Sequence, residues 1–353
     1  MSALRAKLYA QEETELLEGI YLSESERKRY NIANPIRAAI DDRSYTGIET
    51  EVSEMIAKRC GRAPRGIYVP LDLQVRAPLH QGTFSTGGAA VQTSVMPFVE
   101  VLRNKTVAMK AGATVLPDLK NNIALVKQTG DYSNGWTVEV PVTDITPDIP
   151  TFDQVVLSPK IGYGATQATR QWLGQTNDAL VTEALFNGLA KSVGVALDRA
   201  AFFGSGASGQ PKGLFNQAGI GTVDGTSIAW QGITTFEKNT LAANASEETF
   251  SYVAHPNTRD LLKNRARGTY LGFIVNEQNA IGPYPCHATA QIDDGKFVGG
   301  DFAQLVIGLW GGLDLVVDPF IFKKQGLVEF FGFMYVDVGV PFPSAFTVST
   351  NVS

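Results

Sequence analysis

Apolar residues recur at every fourth position over one long stretch: Leu185, Leu189, Val193, Leu197 and Ala201, with Asn177, Asp178, Glu183, Asn187, Lys191 and Asp198 falling largely elsewhere. This spacing puts one apolar stripe along a helix. Thr176, Asn177 and Asp178 offer N-caps and Gly204 a stop, so the pattern predicts a helix from about Asp178 to Phe203. At ~1.5 Å per residue it would be roughly 39 Å long, more than twice the average globular helix. Upstream, Gln154 to Gln167 reads as a strand returning toward it. Downstream, the glycine-rich run from Gly204 to Gly213 reads as the turn that ends it and reverses the chain.

Elsewhere the period is two. Ile67, Val69, Leu71, Leu73 and Val75 alternate inside a Gly-, Pro-, Ser- and Thr-rich segment from Gly61 to Gln92, which predicts an extended arm suited to β-addition to a neighbouring chain. Ile123–Gln128 and Trp136–Val142 predict a hairpin about the turn Thr129–Gly135, and Asp144, Pro147, Asp148 and Pro150 keep such a protruding ribbon from uncontrolled edge pairing. A two-stranded ribbon buries too little to stand alone in water, so a partner surface is expected. After Phe215 the pattern predicts a compact α/β unit. Its elements are a helix Gly232–Asn244, a strand Tyr252–His255, a helix Asn257–Arg265, and short strands near Gln291, at Gln304–Leu309 and at Leu313–Val317. The aromatic-rich, alternating segment Leu327–Val352 predicts paired strands packing back on the long helix. Toward the N-terminus, Glu12–Leu22, Ser23–Ile40 and Ile48–Cys60 read as short charged helices, with breaks at Asn34-Pro35 and Thr46-Gly47. The class is α+β.

Charge sets the N-terminus apart: residues 1–65 carry 22 of the chain's 65 charged residues, 11 of each sign. For the whole 353-residue chain a net charge of −5 offers no basic footprint for tight nucleic-acid binding. Two cysteines, Cys60 and Cys286, are too few and too separated for a disulfide framework or a zinc site, which predicts free thiols in a reducing cytoplasm. No apolar run reaches the ~18 residues a membrane span needs.

Catalytic patterns fail on inspection. Gly204-x-Gly206-x-x-Gly209 has the dinucleotide spacing, but that fingerprint needs glycines leading into a helix, and here they follow one. Gln210-Pro211 stands where a phosphate loop requires Lys-Ser or Lys-Thr. His80, His255 and His287 lack ligand spacing, and the adjacent Cys286 and His287 point apart in an extended chain. There is no Gly-x-Ser-x-Gly, and Asp293-Asp294-Gly295 reads as a β-turn. The expectation is a structural protein, not an enzyme, without metal or cofactor.

The order of these features resembles the major capsid protein of tailed bacteriophages and prophages. The resemblance covers roughly Thr93 to Val352 and is most specific around the long helix. There Phe152 and Leu157-Ser-Pro-Lys160 enter the preceding strand, Leu173 precedes the helix, and Asp198 lies in its last turns. Gly204-x-Gly206 with Pro211-x-Gly213-Leu214 ends it, and Ala254-His-Pro256, Leu261 and Gly300-Asp-Phe302 resemble later landmarks.

The resemblance implies the Hong Kong 97-type fold. Its parts would be a charged helical segment at 1–60 that could serve as an assembly or pro-segment, an N-arm at 61–120, and an E-loop with flanking strands at 121–175. A P-domain spine helix follows at 176–216, an A-domain at 217–319, and a P-domain closing β segment at 320–353. It further implies self-assembly into hexamers and pentamers of an icosahedral shell around double-stranded DNA, held without sequence-specific contacts. The shell would be built in the bacterial host cytoplasm with portal, maturation protease and scaffolding or decoration proteins as partners. An encapsulin-like compartment for cargo enzymes is the alternative within the same fold. Ile67, Val69, Leu71, Lys127, Tyr132, Trp136 and Lys160 are the expected inter-subunit contacts. Some family members join a hairpin lysine to a neighbour's asparagine. Lys127 and Lys160 lie in the right region, but no asparagine occurs between Lys323 and Pro343, so no cross-link is expected. Deleting the hairpin tip Thr129–Gly135 should leave the subunit folded, by circular dichroism, while impairing assembly seen by electron microscopy.

Overall fold

The computed structural model describes residues 29–31, 33–40, 45–69, 75–76, 95–96, 106–130, 149–175, 185, 188–268 and 272–353. The helix expected at Glu12–Leu22, the strand Trp136–Val142, the arm positions Leu71 and Leu73, His80, and the first half of the long helix apart from Leu185 lie outside them.

The long strand Leu327–Gly339 organises the first sheet. One of its edges pairs antiparallel with Lys160–Thr169 over ten residues, from Leu327 opposite Thr169 to Val336 opposite Lys160. Its other edge takes Leu313–Asp318 along the first half and Val306–Leu309 along the second. Ile67–Val69 closes that side beyond Leu313–Asp318, and Thr114–Leu116 lies parallel to Val306–Leu309. Alternation in the long strand turns Val328, Phe330 and Met334 inward, where the helix Gly188–Phe203 covers them with Leu189, Val193, Leu197 and Ala201.

The helix approaches this sheet closely because glycine lies beneath it. Gly164 and Gly332 are opposite one another in the ladder. A Cβ on Gly164 would stand 3.2 Å from Ser192 Cβ and 3.3 Å from the Leu189 carbonyl oxygen, and one on Gly332 would stand 3.6 Å from Leu189 Cβ. At the helix end Gly206 and Gly209 take positive φ values of 73° and 76°, and Ser205 bridges back to Lys212, so the glycine run is the reversing turn that its sequence predicts.

The second sheet runs Ala280–Ile281, Tyr284–Ala288, Phe250–Ala254, Phe297–Asp301, Phe346–Ser349, Gly221–Thr222. The helix Trp230–Ala242 packs on it through Ile233 and Phe236, and Pro256–Asn264 through Leu262. Helices and sheets together make an α+β chain. The division expected at 319 does not follow the sheets: Val306–Leu309 and Leu313–Asp318 belong to the first sheet, whereas Phe346–Ser349 belongs to the second. Strand pairing across the chain outweighs sequence proximity here.

Four other expectations need correction. Ile123–Gln128 pairs with Phe152–Leu157, from Ile123 opposite Leu157 to Gln128 opposite Phe152, so its partner is the returning strand and not Trp136–Val142. The returning strand is broken at Ser158-Pro159, because proline cannot continue a ladder. Ala33–Ile40 takes Asn34-Pro35 into its first turn and the break falls earlier, at Tyr30-Asn31, since proline is tolerated in a first turn whose N–H groups lack helical partners. Near Gln291 the chain turns, its N–H donated to Thr289 Oγ1, and the strand lies earlier at Tyr284–Ala288. The helix Ile48–Cys60, ended by Gly61 at φ 66°, has the predicted bounds.

Gly164→Val should lower stability by about 1–3 kcal/mol through overpacking against the helix, with the secondary structure retained. Chemical denaturation of the subunit measures it.

Candidate functional site

Buried carboxylates hold three backbone segments against the body of this chain. Asp314, in the first sheet, accepts the backbone N–H groups of Arg65 at 2.9 Å and Gly66 at 3.1 Å. Asp337 accepts the N–H of Ser158 at 2.9 Å and pairs with Lys160 Nζ at 2.6 Å. Asp198, inside the long helix, accepts the N–H groups of Val107 at 2.6 Å and Ala108 at 3.0 Å. All three aspartates are buried. Each binds a segment distant in sequence by its main chain, which a charged acceptor does more strongly than a neutral one. Burial pushes the Asp198 carboxyl up to about 6, against the lowering effect of the two N–H bonds and Lys110.

These anchors fix the segments before Ile67–Val69, at the base of the hairpin and at the helix Val107–Lys110. The arm strand Ile67–Val69, expected to contact a neighbour, is engaged within its own chain. It pairs with Leu313–Leu315 of its own chain, and Val69 and Tyr68 are wholly enclosed, Tyr68 against Val52, Ile56 and Cys60 of the N-terminal helix. Coverage of both faces by helices explains this, so Val69 has no surface to offer a partner. Leu71, Tyr132 and Trp136 lie outside the described residues.

The hairpin has two unlike faces, because residues opposite one another share a face. Ile123 with Leu157, Leu125 with Val155 and Lys127 with Asp153 form one face. Its base docks on the body, where Leu157 and Leu125 join Trp310 and Tyr335 and where Gly339 leaves room for Leu157. Farther out Lys127 forms an ion pair with Asp153 at 3.2 Å, and the Gln154 N–H together with Lys127 holds the Asp153 carboxyl below its usual range. Both candidate lysines, Lys127 and Lys160, are thus engaged within the chain.

The opposite face carries Val156, Val126 and Phe152, with Val126 68% and Phe152 62% exposed. This bare apolar row is absent from the residues expected as contacts. The alternation Ala124/Val126 hinted at it, but the true partner strand was needed to add Val156 and Phe152.

A second bare apolar surface lies on the first sheet, on the side away from the long helix. Ile161 faces Tyr335, Tyr163 faces Phe333 and Ala165 faces Phe331. Phe331 and Phe333 stack at 6.0 Å between centroids, and Arg62 and Arg65 lie over Tyr335 and Phe333 at 4.3 and 5.4 Å. The arginines roof part of this aromatic face. Tyr163 remains 65% and Ile161 48% exposed.

The residues weighed for chemistry have structural partners. His255 caps the helix Pro256–Asn264, its Nδ1 accepting the Asn257 N–H at 3.2 Å. Asp293 pairs with Arg199 and Lys296, which also lie over the Phe203 ring at 4.6 and 4.3 Å. Both cysteines are free and buried, and burial pushes the thiols of Cys60 and Cys286 up to about 11 and 12. Among the described residues no cluster of His, Cys, Asp or Glu could hold a metal ion.

Comparison with known proteins places this geometry. The family model described as "Phage capsid family" matches residues 87–351. The major capsid protein of Halomonas phage phiHAP-1 is 29% identical over 343 residues, covering 94% of this chain and 56% of the relative. The chain thus spans about half the length of the curated relative it matches. Among solved structures, the capsid of an empty GTA particle computed with C5 symmetry superposes with a TM-score of 0.57 at 16% identity, covering 78% of this chain and 96% of the other. A structure from Mycobacterium phage Bobi superposes with a TM-score of 0.56 at 12% identity and the same coverages of 78% and 96%.

The buried Asp198 carboxylate makes a prediction about pH. Its folded pKa lies above its unfolded value, so the folded state binds more protons between the two, and this group's contribution to stability falls as pH rises from about 4 to about 6. Asp198→Asn should remove that slope. The difference between wild-type and variant unfolding free energies, measured from pH 4 to pH 7, checks it.

Proposed function

The chain belongs to the phage capsid family and has its Hong Kong 97-type fold, and on that premise we propose that it is a major capsid protein. Copies assemble into hexamers and pentamers of an icosahedral shell that encloses a double-stranded DNA genome. The role is structural, not catalytic, and its place is the virion. The observation that carries the reading is the hairpin with one face docked on its own body and the other, Val126, Val156 and Phe152, bare. Soluble monomers rarely keep such a row uncovered, and a ribbon of two strands alone is marginal in water. A neighbouring subunit supplies that packing, and the open aromatic surface around Tyr163 and Ile161 is a matching acceptor.

Head-to-tail contact between two different surfaces is the arrangement that closes into rings when repeated. The net charge of −5 suits a container that holds DNA without adhering to it. The named curated relative and the GTA structure are capsids, which favours a genome shell over a cargo compartment. Portal and maturation protease, with scaffolding or decoration proteins, are the partners such a shell would use. The charged segment 1–60 would act during assembly.

Electron microscopy of the purified protein after size exclusion tests the reading: closed shells or rings of subunits are expected. A protein that stays monomeric even with its co-expressed neighbours would overturn it. The paired substitution Val126→Asp and Phe152→Asp should leave the subunit's melting temperature unchanged within a few degrees. It should cut assembly by roughly tenfold or more, since burying charge at an anchor costs more than ~1.4 kcal/mol.

A further inference from the structure

Charge sets residues 1–65 apart in the sequence, yet the described part of that stretch is built into the body. In the helix Ile48–Cys60 the enclosed residues are Glu49, Val52, Ser53, Ile56 and Cys60, a spacing that turns one face inward. Glu54 and Lys58 are exposed. The charge that marks this helix is therefore its solvated face, and the opposite face is core.

That packing is close. The helix Ala33–Ile40 sends Ile36, 2% exposed, into the same apolar cluster as Val69, Leu313 and Leu315, and Tyr30 packs against that cluster. Ile56 and Cys60 lie over Gly311, where a Cβ would stand 3.7 Å from Ile56 Cγ2 and 3.0 Å from Cys60 Sγ. Gly66 lies so near the Leu315 carbonyl that no side chain fits there. Contacts this tight belong to an interior, not to a cover resting on a surface.

Polar bonds fix the same stretch toward its two ends. Glu49, 1% exposed, accepts the Asn31 N–H and the Tyr45 hydroxyl, both at 2.8 Å. It grips a distant main chain as Asp314, Asp337 and Asp198 do. The buried Ser53 Oγ accepts the Tyr68 N–H at 2.9 Å, so the helix Ile48–Cys60 closes the outer side of the edge strand Ile67–Val69. Loss of that helix would bare Tyr68 and leave its N–H without an acceptor.

We infer that residues 30–69 form one cooperative unit with the first sheet, and that proteolytic processing of the subunit spares them. A cut near residue 60 would divide this unit. Any segment shed during assembly therefore ends before Tyr30, and the helices Ala33–Ile40 and Ile48–Cys60 stay in the finished shell. There they brace the stretch that holds Arg62 and Arg65 over the Tyr335 and Phe333 rings. The cooperative unit stands on the packing alone, whereas the statement about processing rests on the assembly reading above.

Two measurements on the full-length protein test the two halves. Hydrogen exchange of the free subunit should show the amides of Val52–Cys60 and Tyr68 exchanging within roughly tenfold of the slowest amides in Leu327–Gly339, as they do when two elements open only together. Faster exchange than that would mean the helix opens alone and would overturn the unit. The intact mass of subunits from particles assembled with the co-expressed maturation protease should correspond to a chain that begins at or before Tyr30. Particles whose subunits begin after Tyr30 would overturn the inference about processing and leave the capsid reading intact. Absence of any assembly would overturn the capsid reading and the inference about processing with it, and the exchange result would still decide the unit.

Discussion

Main-chain hydrogen bonds to buried carboxylates are the interaction on which the rest of this structure depends. A three-residue strand and a two-stranded ribbon have few side chains with which to fix themselves on a body. Asp314, Asp337 and Asp198 fix them by their backbones instead, at Arg65 and Gly66, at Ser158, and at Val107 and Ala108. Each carboxylate sits in a helix or strand of the body, and each gripped segment is distant from it in sequence. The desolvation of these charges is a real cost, offset by two or more hydrogen bonds each. The result is a body with defined roots and surfaces left bare beyond them.

Two apolar surfaces remain bare, the hairpin face of Val126, Val156 and Phe152 and the sheet face around Ile161 and Tyr163. Contact between two different surfaces is the kind that repeats head to tail. The close seat of the long helix on Gly164 and Gly332 keeps the sheet beneath these surfaces from shifting, since there is no slack between helix and strand. Rigidity in the body and reach at the edges are the properties a closed shell asks of its subunit.

Much of the architecture was legible from spacing. The four-residue period from Leu185 to Ala201 marked the helix, and the glycine run after it marked the turn. The helix Ile48–Cys60 and the α/β pattern after Phe215 followed from caps and alternation. The contact residues were less legible. Lys127 and Lys160 stood out as charges in a protruding region, yet both are tied to aspartates of their own chain. Val126, Val156 and Phe152 are ordinary apolar residues in a strand, and only the pairing of Ile123–Gln128 with Phe152–Leu157 puts them on one uncovered face.

By itself, then, the sequence determined the elements, their order and the absence of a familiar catalytic pattern, because caps, periods and turn residues act over a few positions. Tertiary structure decided the pairing. Ile67–Val69 pairs with residues 244 to 248 positions away, from Val69 opposite Leu313 to Ile67 opposite Leu315, and Phe346–Ser349 leaves its neighbours in sequence for the second sheet. An alternating apolar strand carries the same signal whether it is enclosed, open at one edge or bare on one face. What distinguishes these cases is which distant segment lies alongside, and that is fixed by the packing of the whole chain.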